Sequence, residues 1–229
     1  PAAPALARTT EDAASDLLGP AHAKRGWVWH PMRVYGMHVA TMDPTSASPQ
    51  TDRASFTPEQ LSVVTHAVGI AEELVSNHYK MSASQWLRPK YDVRTLAELE
   101  PPEIVDGPFA QIIRYQGQPK AASLSSSTYD FYKICLQDHA ILTALRHNPE
   151  LQLLPFTLYI ITHELIHIVR FSKFLQGFDA SADERLAEEQ RVHARTHDVL
   201  IGLKLPGLSD VLLFYSDWRR VYEQIDYHP

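Results

Sequence analysis

The sequence predicts an α+β fold, predominantly helical, in which a small antiparallel sheet packs beside a central helix and a following helix folds back antiparallel against it. Three observations carry that expectation. Several stretches place apolar residues at helical spacing between recognisable caps. Two neighbouring stretches between residues 109 and 136 are rich in β-branched and aromatic residues, as strands are. The most apolar helical stretch carries the pentapeptide His163-Glu164-Leu165-Ile166-His167.

Residues 1–55 are rich in Ala, Pro, Ser and Thr and predict an extended or partly disordered arm, with PTSASPQTD at 44–52 as a linker or exposed loop. Within the arm, Gly26 to Thr41 could form one or two short strands, limited by Pro31 and Gly36. Residues 56–229 predict a single domain. It opens with a helix whose N-cap is Thr57, with Pro58 at the first helical position and Gln60 completing a capping box, and which runs to Tyr79. The stretch from Lys80 to Asp106, with Pro89, Pro101 and Pro102, predicts irregular chain with a short helix near Thr95–Leu99. Phe109–Tyr115 reads as a strand closed by Gly117 and Pro119, and a second lies within Ser125–Leu136; the two should pair antiparallel. Asp138 caps a helix through His147 that Asn148-Pro149 ends. The motif helix runs from Leu151 to Phe174, with Pro155 near its first turn and Gly177 beyond its end. Ser181 and Glu184 form a second capping box, starting a helix to about Leu203. Pro206-Gly207 breaks it, and Asp210–Ile225 makes a last amphipathic helix.

Composition narrows the function. The 21 basic and 27 acidic residues give a formal charge of −6 without a block of like charge, which argues against nucleic-acid binding. A single cysteine, Cys135, excludes an internal disulfide and a cysteine-rich zinc site, and suits a reducing, cytoplasmic location, although a chain beginning at Pro1 could have lost an export signal. The longest apolar run is interrupted by His163, Glu164, His167 and Arg170, so no membrane span is expected.

On a helix, residues four apart lie on one face, so His163 and His167 can reach one metal ion, with Glu164 about 100° round beside it. That is where a base acting on a metal-activated water belongs. Zinc needs three or four ligands, and the next helix offers Glu188, Glu189, His193 and His197. Of these, Glu189, His193 and His197 are spaced by four and share a face.

His163, Glu164 and His167 resemble, residue for residue, the motif of the zincin metallopeptidases, and among them the gluzincin type. The resemblance implies a zincin-like metal-binding domain over 56–229, a Zn2+ cofactor held by His163 and His167, Glu164 as general base, and a glutamate on the next helix as third protein ligand. Glu188 and Glu189 fall close to the short spacing of several gluzincins. Those enzymes often carry an aspartate four residues after the ligand glutamate; here that position is His193. Either Glu189 binds zinc with His193 helping, or His193 is itself the ligand, while Glu188 and His197 stay open as contributors. The three-histidine metzincin continuation is absent, since Ile168, Val169 and Arg170 follow His167. A peptide or protein substrate is implied, held by strand addition to an edge strand for which Ser125–Leu136 is the candidate. Tyr129, Tyr132, Tyr159 and Tyr215 are candidate donors to an oxyanion, and His139 could enter the site. Two other readings compete. Glu164-x-x-His167 is one half of a di-iron pattern, but Arg191 and Val192 stand where a second histidine would be. Alternatively, a zincin-like protein could keep the metal without peptidase activity, its N-terminal arm covering the cleft.

Overall fold

The computed structural model describes residues 22–28, 53–82, 90–117, 129–173, 175, 177 and 181–217. They form a mixed α+β arrangement, mostly helical: β1 (His22–Val28), α1 (Pro58–Tyr79), β2 (Lys90–Arg94), β3 (Ala110–Gly117), β4 (Tyr129–Leu136), α2 (Asp138–His147), α3 (Leu153–Ser172), α4 (Ala182–Leu200) and α5 (Leu208–Phe214). Single turns of 3-10 helix at Leu96–Glu98 and Pro101–Glu103 join β2 to β3. No described helix is long and apolar enough to cross a membrane.

Local signals set the helix starts. Thr57 and Gln60 exchange side-chain-to-backbone hydrogen bonds ahead of Pro58, and Ser181 and Glu184 do the same for α4. Each capping box satisfies amide groups that the first turn leaves without intrahelical partners. In α1 the buried residues Val64, Ala67, Ala71 and Val75 recur at helical spacing. The two alanines let its backbone come close to α3, against which it packs.

From Pro155 to Phe171 every residue of α3 is buried. A helix apolar on all sides belongs in the middle of a protein, and α1, α4, α5 and β3 pack around this one. Pro155 is the third residue of α3, where its missing N–H costs no helical hydrogen bond. The helix ends at Ser172 rather than Phe174, and α4 ends at Leu200 rather than Leu203. The last helix spans Leu208–Phe214, beginning ahead of Asp210, and the stretch predicted beyond 217 lies outside the described residues. Gly207 starts it with φ 76°, a left-handed backbone that favours glycine, and a Cβ there would also make the Gln152 side chain shift.

The sheet order is β1-β3-β4-β2. As expected, β3 and β4 pair antiparallel, from Ala110 opposite Leu136 to Gly117 opposite Tyr129. Two expectations need correction. The sheet is mixed rather than antiparallel, because β2 runs parallel to β4, from Lys90 opposite Phe131 to Arg94 opposite Cys135. The segment Ser125–Leu136 does not supply an edge strand, because β4 lies between β3 and β2. The cause of both is β2, which sequence reasoning left as irregular chain: KYDVR is short, charged and preceded by Pro89, and only its pairing with β4 makes it a strand. Most of the arm 1–55 lies outside the described residues. Its segment His22–Val28 belongs to the sheet as β1, antiparallel to β3, with a register shift between Lys24 and Trp27.

Asp138 also departs from expectation. It is the first residue of α2, after Gln137 in the N-cap position, which makes no side-chain cap. Asp138 Oδ2 accepts the Phe56 amide and Oδ1 the Leu96 amide, each at 3.0 Å, tying together segments that precede α1 and follow β2. Nearby, buried Glu103 accepts hydrogen bonds from Lys133 at 2.6 Å and from the Tyr115 hydroxyl at 2.8 Å.

Candidate metal centre

The centre is built where α3 meets α4. Going up α3 through Tyr159, His163 and Arg170, the partners on α4 descend through His193, Glu189 and Glu188. This is the antiparallel neighbour the sequence predicts.

His163 and His167, one turn apart, bring their Nε2 atoms to 3.0 Å. Glu189 reaches across from α4, with Oε2 3.2 Å from His163 Nε2 and Oε1 3.4 Å from His167 Nε2. Three lone-pair donors bound at 2.0–2.1 Å to one tetrahedral ion would stand roughly 3.3 Å apart, so this donor set fits a zinc ion. His193 lies against the same group: His163, Glu189 and His193 can each offer a ligand atom, all within 4.8 Å of one another. Its ring sits 4.4 Å from that of His163, centroid to centroid. All four side chains are buried.

Aromatic packing fixes His193. Its Nδ1 hydrogen-bonds the Tyr159 hydroxyl at 2.8 Å. Tyr159 stacks on Tyr215 with centroids 4.0 Å apart and rings nearly parallel, and Phe156 packs edge-on against Phe109 and Phe214. Thus Tyr159 of α3 and Tyr215, at the end of α5, form the wall on which the α4 histidine rests.

Burial and charge oppose each other here. Burial pushes the Glu189 carboxyl up, but the His167 charge and hydrogen bonds from both motif histidines outweigh it and hold the group well below the usual carboxylate range. Burial pulls His163 down. It also pulls at His167, but the charge and hydrogen bond of Glu189 win and that imidazole is raised. Glu164 is pushed up to about 8 by desolvation, which outweighs the charge of nearby His167. A dication beside it would favour the carboxylate again and bring it towards the neutral range in which a general base works best.

Glu164 and His163 line a narrow pocket together with Phe109, Ala110, Tyr159, Ile160, His193 and Tyr215. It has room for little more than a water molecule.

The structure therefore brings together His163, Glu164, His167, Glu189 and His193. Other candidates go elsewhere. Glu188 turns to Arg170 and Arg191. His197, half-buried one turn beyond His193, belongs to neither set of converging donors. His139 sits 3.3 Å from Asp106. Of the candidate tyrosines, Tyr159 and Tyr215 line the pocket, Tyr132 stacks on Phe171, and the Tyr129 side chain lies outside what is described. Sequence reasoning missed Phe109 and Ala110 as lining residues, and it missed Arg170. For Arg170 a signal existed: an arginine on an otherwise apolar helix needs a buried counter-charge, and Glu188 beside Glu189 was available.

Comparison with protein-family models, with curated proteins and with solved structures finds no match to this chain.

Proposed function

We propose that the chain is a zinc-dependent metallohydrolase of zincin-like design, with His163, His167 and Glu189 as protein ligands and a peptide or protein as substrate. One observation carries the reading: three lone-pair donors from two helices converge at tetrahedral separations beside a buried carboxyl group that faces a pocket. Zinc bound there supplies a Lewis acid that polarises a carbonyl and makes water a nucleophile near neutral pH. With the metal bound, Glu164 would be the group that accepts a proton from water in the pocket and returns it to a leaving amine. With His193 Nδ1–H donating to its hydroxyl, Tyr159 on the pocket wall keeps its own proton free to donate a hydrogen bond to the carbonyl oxygen as charge develops. The peptide substrate class follows from the resemblance of the HELIH helix and its downstream glutamate to the gluzincin pattern.

The di-iron reading loses support because Glu188, the spare carboxylate, is engaged by two arginines. The narrowness of the pocket favours a different second reading, a metal-binding protein of the same design without peptidase activity. Glu164→Gln separates them. The variant should keep one zinc per chain and lose on the order of 10²–10⁴ in turnover of a peptide mixture. Unchanged turnover would remove Glu164 from the mechanism, stoichiometric zinc with no turnover in the wild type would select the second reading, and two irons per chain would exclude both.

A further inference from the structure

Glu188 and Glu189 are adjacent in sequence and have separate fates. On a helix their side chains diverge by about 100°, so when Glu189 faces the histidines Glu188 faces elsewhere along α3. There it is fully buried, and both of its oxygens are taken by Arg170. Arg170 Nε donates to Oε1 and Nη2 donates to Oε2 at 3.0 Å, a two-pronged contact between planar groups. Arg191 Nη1 adds a third bond to Oε2 at 2.6 Å, and the hydroxyl of Tyr79, the last residue of α1, feels the Arg170 charge from a third helix. Arg170 lies three residues after His167, nearly one turn further along the same helix.

We propose that the Arg170–Glu188 fork is the positioning device that sets Glu189 on the metal. The inference rests on the zinc reading above. His163 and His167 share one rigid helix, so their mutual placement needs no help. Glu189 comes from α4, and its reach depends on how that helix is rotated and shifted against α3. A slip of one residue moves it by about 1.5 Å along the axis and 100° around it, which no zinc–oxygen bond of about 2.0 Å would survive. A planar fork resists both movements because both of its bonds must be kept together. Adding stability is the lesser role, since a buried ion pair is often matched or exceeded in stability by apolar residues of similar volume. What it secures is the register of the two helices one residue away from the ligand.

The test compares zinc dissociation constants, measured on the full chain by competition with a chromophoric chelator, with thermal stability of the metal-stripped chain. Arg170→Lys keeps the charge and loses the fork; it should weaken zinc binding about 10- to 100-fold, the usual cost of removing a group that orients a ligand. The double variant Arg170→Met/Glu188→Leu should lose zinc affinity to the same degree while its metal-free melting temperature stays level or rises. Arg191→Ala, altering the half-exposed third partner, should stay within about threefold of wild type. Wild-type zinc affinity in Arg170→Lys, or in a folded double variant, overturns the proposal alone. A wild-type chain that takes up no zinc overturns the metal reading and the proposal together.

Discussion

Exchanging Glu189 for Gln keeps the size of the side chain and removes only its charge, at the proposed ligand that comes from α4 rather than from the five-residue motif. This carboxylate lies 3.2 and 3.4 Å from two imidazole nitrogens and is almost wholly buried. Removing one partner of a buried pair costs about 3–5 kcal/mol. At roughly 2–4 °C per kcal/mol for a chain of this size, the melting temperature should fall by about 6–20 °C. The loss should depend on pH. Glu189 is depressed on folding, so its contribution is present above the unfolded carboxyl pKa of about 4.3 and disappears as pH falls through the folded value. His167 is raised, so its contribution is full below about 6.5 and disappears as pH rises through its folded value. The variant should therefore differ most from wild type between about pH 4.3 and 6.5. Zinc adds a second reading: at a free concentration 100 times the wild-type Kd, binding stabilises the wild type by about 2.7 kcal/mol, or roughly 5–11 °C. A variant weakened by more than the ~100-fold typical of outer partners gains less than about 0.4 kcal/mol under the same conditions. Thermal melts with chelator and with zinc, across pH, supply every number. A variant with wild-type melting in chelator and a wild-type zinc shift would refute Glu189 as both ion-pair partner and ligand.

Asp138→Asn should lower stability by about 1–3 kcal/mol, because one of the two amides now bonded to the carboxylate would face an NH2 group; denaturant unfolding measures it. Glu103 is buried, which raises its carboxyl, but hydrogen bonds from Lys133, the Glu100 amide and Tyr115 outweigh burial and leave it depressed. Its share of stability is present above about pH 4.3 and lost as pH falls through the folded value, so Glu103→Gln should flatten the acid side of the stability profile, and equal slopes in both proteins would count against this.

What the sequence makes legible is local. Thr57 with Gln60 and Ser181 with Glu184 mark helix starts because both halves of each capping box lie within one turn. The pairing of His163 with His167 follows from helical spacing alone. What was hidden depends on partners far along the chain. Asp138 has the identity and place of a cap, yet its oxygens serve amides 82 and 42 residues away. Lys90–Arg94 becomes a strand through β4, and β4 thereby stops being an edge. Choosing among Glu188, Glu189 and His193 needs the rotation of α4 about its axis, and the contact that reports it, Arg170 with Glu188, involves a residue on another helix.

The burial of α3 from Pro155 to Phe171 also has a kinetic side. Amides in the middle of this stretch should exchange with deuterium when neighbouring helices detach, at rates that report that opening. Donors on a shaft wrapped in this way cannot let go singly. An ion seated between α3 and α4 would leave when α4 lifts, and its residence time and the slowest deuterium uptake in the protein should then follow the same opening event.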